Sequence, residues 1–218
     1  DREALRNVVL RGFADEIHSP IAPQVQFAIN AGTYTHDVAK AKALLAEAGY
    51  PNGFTANMWL DNSSERQRLA VALQQQLAEI GVKLNIVPLE SAAMSDMIWN
   101  STRETSKLEL YLGGWSPSTG DADWGLRPLF ATESAPPSGY NVGFYSNPEV
   151  DRLLHDALNT ADSRRRGQAY ARAQQLIWKD APWVFLYVPQ NVWGTRSNVD
   201  GVWVQPDGIL SVRHLKFN

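Results

Sequence analysis

Between residues 54 and 114 the hydrophobic period of the chain switches repeatedly, and that alternation narrows the folds open to it. Residues 54–60 alternate loosely as a strand, and Ser64-Glu65-Arg66-Gln67 has the form of a capping box at a helix start. The helix behind it carries Leu69, Ala72, Leu73, Leu77 and Ile80 and stops at Gly81. Val82, Leu84, Ile86 and Pro88 then alternate with Lys83, Asn85 and Val87 as a half-buried strand. A short helix over Ser91–Trp99 and a third strand over 108–114 complete the series. Strands separated by helices need right-handed crossovers, so the sequence predicts an α/β fold: a mixed, mainly parallel sheet flanked by helices. Ligands of such sheets gather beyond the carboxyl ends of the strands. Here those ends are residues 59–63, 89–91 and 113–119.

The third strand leads into an unusual connection. Leu112-Gly113-Gly114-Trp115 runs into Ser116-Pro117-Ser118-Thr119-Gly120-Asp121-Ala122-Asp123-Trp124, a turn rich in hydroxyls and carboxylates. Asp123 is placed to cap a helix through Leu126 and Leu129. Free backbone N–H groups and short polar side chains converge where a strand delivers a loop to a helix N-terminus. The glycines admit close approach, and Trp115 and Trp124 bracket the turn with flat apolar faces. Two readings stand: a small-molecule site, or an ordinary connection with two core tryptophans.

Elsewhere the local signals are helical. Leu5, Val8, Val9 and Phe13 imply a short helix over residues 2–12. Asp37 caps a helix whose apolar face is Val38, Ala41, Leu44, Leu45 and Ala48, closed by Gly49. A long irregular segment, 132–146, holds Pro136-Pro137-Ser138-Gly139, and loops of this length are commonly functional or mobile. Asn147-Pro148 opens one helix, residues 163–179 form another, and 181–188 read as a buried strand. The tail from Gly201 carries Val202, Trp203, Val204, Ile209 and Leu215 between turn residues.

The composition removes several chemistries. Cysteine is absent, which excludes disulfides, thiolate catalysis and Cys-ligated zinc and fits cytosol or bacterial periplasm equally. A net charge of −3 without a basic stripe argues against nucleic acid. No apolar run of about 18 residues exists to span a bilayer. The histidines, His18, His36, His155 and His214, form no His-x-x-x-His pair and lie near no Gly-x-Ser-x-Gly elbow. Asp121 and Asp123 offer a carboxylate pair for acid–base or metal chemistry, or simply a helix cap, with capping preferred. Arg164-Arg165-Arg166 reads as a solvated helix face. Eight tryptophans remain, with Trp59, Trp115, Trp124, Trp183 and Trp193 beside loops, and aromatic walls with small polar lining suit a polar organic ligand.

The run from Asp37 to Phe54, a lysine-bearing helix ending Glu47-Ala48-Gly49-Tyr50-Pro51-Asn52-Gly53-Phe54, resembles the signature of extracellular solute-binding family 5. Gln74-Gln75-Gln76-Leu77-Ala78-Glu79-Ile80-Gly81, Gly114-Trp115 and Gln175-Leu176-Ile177-Trp178-Lys179-Asp180-Ala181-Pro182-Trp183 agree in the same order. Within that family, the 115–124 turn and Gly143-Phe144-Tyr145-Ser146-Asn147 are most similar to the glutathione-binding members. The resemblance implies a periplasmic binding protein-like fold (class II, cluster C), of which this chain matches only the C-terminal lobe. A ligand-binding lobe over 1–190 and a closing segment over 191–218, returning to a missing N-terminal lobe, are expected. A start at Asp1 that enters helix at once, with no Met, agrees with a fragment whose targeting segment lies upstream.

The resemblance further implies a non-enzymatic, cofactor-free component of an ABC importer. It would bind a peptide, such as glutathione, a dipeptide or an oligopeptide, in the periplasm and hand it to the permease subunits. Dipeptide- and oligopeptide-binding relatives hold the ligand amino group with an aspartate three residues after the Gly-Trp tryptophan. The matching position is Ser118. Dipeptide binders also hold the carboxylate with an arginine near the strand end, where this chain has Leu60-Asp61-Asn62-Ser63 and only Arg66 as a stand-in. The expected site is therefore Trp59, Trp115 and Trp124 as walls, Asn62, Ser63, Ser118, Thr119 and Asn141 as hydrogen-bonding groups, and Asp121 or Asp123 toward an amino group. Alternatives are nickel or another small solute, a hydrolase using Asp121 and Asp123, or a chaperone-like module.

Overall fold

The computed structural model describes residues 1–205 and 208–218; residues 206 and 207, inside the expected closing segment, lie outside the described residues. Asp1 caps a single helical turn, α1 (Arg2–Ala4), its side chain accepting from Ala4 N at 2.9 Å. The chain continues as a wider π-helical turn over Leu5–Val9 and leaves through left-handed Arg11 and Gly12. The expected helix over 2–12 is thus shorter and wider, and the turn rotates Val8 and Phe13 into solvent while Leu5 stays buried. β1 (Ala14–Asp15) follows. Asp37 caps α2 (Val38–Glu47), accepting from Lys40 N, yet no residue of this helix is fully buried. Its expected apolar face lies on the surface, with Leu45 alone packing partly on the sheet core.

The alternating region forms the expected parallel sheet. β2 (Thr55–Asp61), α3 (Ser64–Ala78), β3 (Lys83–Leu89), α4 (Ser91–Trp99) and β4 (Leu110–Tyr111) follow in order, and the strands pair β3-β2-β4. Trp59 stands between Val87 and Tyr111 in the parallel ladders. Burial alternates along β2, so Ala56, Met58 and Leu60 join Leu69, Ala70 and Leu84 in one core while Trp59 and Asp61 face away. The cap of α3 is Ser63, one residue before the expected box, because Asp61 Oδ1 accepts from Ser63 N and turns the chain there. β4 is shorter than the expected 108–114. Leu112 N still donates to Trp59 O, and Gly113 and Gly114 then leave the sheet.

A second core lies among α5 (Ala122–Phe130), α6 (Pro148–Leu158) and α7 (Ser163–Asp180). Leu126, Phe130, Val150, Leu154, Tyr170 and Ile177 are essentially removed from water there, each contributing about 1.5–3 kcal/mol of burial. Asn147 and Asp162 cap α6 and α7 through two backbone N–H groups each. The expected buried strand over 181–188 is a correction. Only β5 (Val188–Pro189) joins a ladder, antiparallel to β1. Trp183 and Phe185 enter the helical core, Leu186 and Tyr187 reach the sheet core, and Val184 is exposed. The apolar run that reads as a buried strand is instead one segment that packs first on the helical core and then on the sheet core. In the tail, β6 (Val199–Asp200) pairs with β9 (Lys216–Phe217), and β7 (Trp203–Val204) with β8 (Leu210–Ser211).

Candidate ligand-binding site at the strand ends

The chain leaves β2 toward β3 on one side and returns to β4 on the other. That reversal makes the crevice between the carboxyl ends of β2 and β4 the topological switch point, where open parallel sheets receive ligands. Asp61, Asn62 and Ser63 enter it from β2, and residues 112–115 enter from β4. Arg66, in the first turn of α3, donates from Nη1 to Asp61 Oδ2 at 2.5 Å. Its Nη2 lies 3.8 Å from where a Cβ on Gly114 would sit, so a half-buried cation stands directly over the glycine backbone. Asp61 is the guanidinium's hydrogen-bond partner among the described residues, leaving Nε and Nη2 for an incoming anion. Asn62 Nδ2 donates to Glu90 Oε1 at 2.5 Å, and Gln67 Nε2 donates to Asn62 O at 3.2 Å. Ser63 Oγ accepts from Arg66 N as the helix cap.

An aromatic wall adjoins the crevice. Trp115 Nε1 donates to Trp124 O at 2.8 Å, and the two ring centroids are 5.8 Å apart. Tyr140 packs on the other side of Trp115 at 4.8 Å and meets Trp99 edge-on at 5.0 Å. Tyr140 and Trp99 were not among the expected site residues. The length of the 132–146 loop is the signal that points to Tyr140, while nothing local marks Trp99. Trp59 is half-buried, and its Nε1 has no hydrogen-bond partner among the described residues.

Ser116, Ser118, Thr119 and Gly120 are exposed on a turn fastened at its foot. Gly120 N donates to Pro117 O at 2.9 Å, Gly120 O accepts from Gln26 N at 2.8 Å, and Thr119 Oγ1 accepts from Asp121 N. The two aspartates depart from expectation. Asp121, not Asp123, caps α5, its Oδ1 accepting from Asp123 N at 2.9 Å. Asp121 is also held by Arg166, whose Nη2 lies 3.0 Å from both carboxylate oxygens. Asp123 sits inside the helix and takes two hydrogen bonds from Arg127, at 2.9 and 2.7 Å. That bidentate pair raises the Arg127 pKa. Both carboxylates are already engaged by an arginine, which argues against either as the main partner of a ligand's amino group.

Arg166 also corrects the reading of its run as a solvated face. Arg164 and Arg165 are exposed, but Arg166 turns inward over the Phe27 and Tyr170 rings, at 5.3 and 5.5 Å from their centroids. Asn141 is a further correction. It is wholly buried, its Nδ2 donates to Ala131 O and Tyr145 O, and its Oδ1 accepts from Tyr145 N. A wholly buried amide that makes three hydrogen bonds inside the protein braces the loop and is out of a ligand's reach. An open hollow of about 360 Å³, lined among others by Thr102, Arg103, Phe144 and Ser146, holds none of the expected site residues. The site is better placed at the strand ends, where the topology and the polar groups coincide. No group of three or more His, Cys, Asp or Glu side chains is arranged for a metal among the described residues.

The model of the bacterial extracellular solute-binding proteins, family 5 (Middle), matches residues 1–136. The chain belongs to solute-binding family 5. It is 39% identical over 212 residues to the glutathione-binding protein GsiB of Pectobacterium atrosepticum, covering 97% of this chain and 41% of that relative. The chain thus spans about two fifths of the length of the curated relatives it matches. Among solved family 5-like structures it is similar to the periplasmic binding protein DppA from Helicobacter pylori in complex with the peptide STSA. The TM-score is 0.82 and the identity 32%, over 92% of this chain and 38% of that one. The dipeptide binding protein of Pseudoalteromonas sp. SM9913, in complex with Met-Leu, gives a TM-score of 0.81 and 29% identity over 100% and 43% of the two chains. The periplasmic binding protein-like α/β fold is that of these family 5 structures. Among the described residues no helix is long and apolar enough to cross a membrane.

Proposed function

We propose that this chain is the C-terminal ligand-binding lobe, residues 1–190, of a periplasmic binding protein serving an ABC importer, with 191–218 returning to an N-terminal lobe. The ligand is peptide-like and richer in hydrogen-bonding groups than a plain dipeptide, with glutathione the leading candidate. The observation that carries this reading is an arginine with unbonded donors at the switch point, followed along the connection that leaves β4 by an aromatic wall and an exposed hydroxyl turn. Arg66 takes a carboxylate, Asn62, Ser118 and Thr119 supply hydrogen bonds, and Trp115 with Tyr140 covers apolar atoms. Asp121 and Asp123 are already paired with Arg166 and Arg127, which speaks against their meeting the ligand directly. Their engagement also speaks for binding without turnover. Similarity to proteins named for binding glutathione, a tetrapeptide and a dipeptide supports the ligand class. Closure of two lobes would bury the ligand and present a surface to the permease.

A thermal-shift titration of the full two-lobe protein tests this, using glutathione, dipeptides, longer peptides and nickel salts. A ligand at a hundredfold over its Kd stabilises the native state by about 2.7 kcal/mol. That corresponds to a melting shift of a few degrees for a protein more than twice this chain's length. The expected result is a shift with glutathione larger than with any dipeptide. No shift with any peptide would overturn the ligand class, and a shift with nickel alone would move the protein to metal binding.

A further inference from the structure

We propose that Arg166 is a positioning residue for ligand binding, acting through Asp121 to hold the Ser116-Pro117-Ser118-Thr119-Gly120 turn in its binding shape. The inference rests on the reading of that turn as a ligand contact. Arg166 lies on α7, far from the turn in sequence, and its side chain is about three-quarters removed from solvent. The guanidinium lies over the Phe27 and Tyr170 rings, which pack on each other 5.7 Å apart, and Tyr170 is fully buried, so the cation has little freedom. It also donates to Tyr170 Oη at 3.4 Å. From this seat Nη2 reaches both oxygens of Asp121.

Asp121 does two things at once. One oxygen caps α5, and the pair of oxygens ties the helix start to α7. The exposed turn therefore hangs between two fixed ends. The far end is Trp115, pinned by its Nε1 bond to Trp124 O, and the near end is Asp121. The Gln26 N to Gly120 O bond is a further tether, crossing from elsewhere in the chain. A turn already ordered loses less conformational freedom when a ligand closes on it, and the loss avoided is retained as affinity. In this arrangement the charged pair acts on ligand affinity without touching the ligand.

The test compares Arg166→Met, Arg166→Lys and Asp121→Asn in the full two-lobe protein. Met keeps the apolar stem against the two rings. Asn keeps an oxygen that caps α5 and loses the charge. Hydrogen exchange of the 116–120 amides is read without ligand, and glutathione affinity by calorimetry. Arg166→Met and Asp121→Asn are expected to speed exchange across 118–120 and to weaken binding roughly tenfold, with Arg166→Lys restoring part of both. In a Ser118→Ala/Thr119→Ala background the Arg166→Met loss is expected to shrink below about threefold, because the positioned groups are gone. An equal loss in both backgrounds, or unchanged exchange over 116–120, overturns the proposal. If the wild-type protein binds no glutathione, the reading of the site fails on its own, and the exchange data still decide whether Arg166 holds the turn.

Discussion

The Arg66 guanidinium stands beside the Gly114 backbone while holding Asp61 at 2.5 Å, so one side chain bridges the ends of two neighbouring parallel strands. A charge-assisted hydrogen bond from that cation to a ligand carboxylate is worth about 1.5–3 kcal/mol. Arg66→Met is therefore expected to weaken binding of a peptide with a free C-terminus roughly 10- to 100-fold. The C-terminally amidated peptide, which offers no carboxylate there, should lose little. Calorimetry on the two peptides separates the effects, and equal losses for both would remove Arg66 from carboxylate recognition.

Asn141 predicts the opposite pattern. Its amide satisfies Ala131 O, Tyr145 O and Tyr145 N inside the protein. Asn141→Ala leaves those groups without their partner, at about 1–3 kcal/mol for each one that water cannot reach. Urea unfolding should show a clearly lower midpoint with an unchanged slope. Glutathione affinity of the folded variant should match the parent. A variant of normal stability and weakened binding would return Asn141 to the site.

These two residues show where the sequence was readable. Helix caps at Asp37 and Asn147 and the order of β2, α3, β3 and α4 were legible because each depends on a handful of adjacent residues. Asp121 and Asp123 present the same local signal two positions apart. The choice of cap accompanies Arg166 holding the first aspartate and Arg127 holding the second. Asn141 reads as a ligand group because a polar residue in a long loop carries no mark of its burial. Residues 181–188 are as continuously apolar as a buried strand, yet that composition serves two separate cores. Local chemistry is visible in a sequence, and long-range pairing is not.

Gly53 gives a prediction that depends on backbone contact alone. It adopts φ +72°, and a Cβ there would collide with Gly81 O, where the turns after α2 and α3 meet. Gly53→Ala meets both an unfavourable backbone conformation and a carbonyl that cannot move independently. A loss of about 2–3 kcal/mol is expected, with a melting temperature several degrees lower. An unchanged melting temperature would mean that the two turns separate readily.

Tyr145 links burial to stability at alkaline pH. Its hydroxyl donates to Asp180 Oδ2 at 2.6 Å, and burial followed by that bond pushes its pKa well above the ordinary tyrosine value of 10.0. Burial also raises Tyr34, Tyr170 and Tyr187. The folded protein therefore keeps these protons to higher pH than the unfolded chain does. Their contribution is complete below the unfolded value and is lost as pH climbs from there toward the folded pKa. The melting temperature should fall steadily above about pH 10. Tyr145→Phe removes one hydrogen bond, about 1 kcal/mol at neutral pH, and also one group whose ionisation opposes folding. Its melting temperature should start lower and decline less steeply between about pH 10 and 11.5. Parallel alkaline slopes in the two proteins would show that Tyr145 gives up its proton as easily folded as unfolded, and would break the link between its burial and the stability of the 141–147 loop.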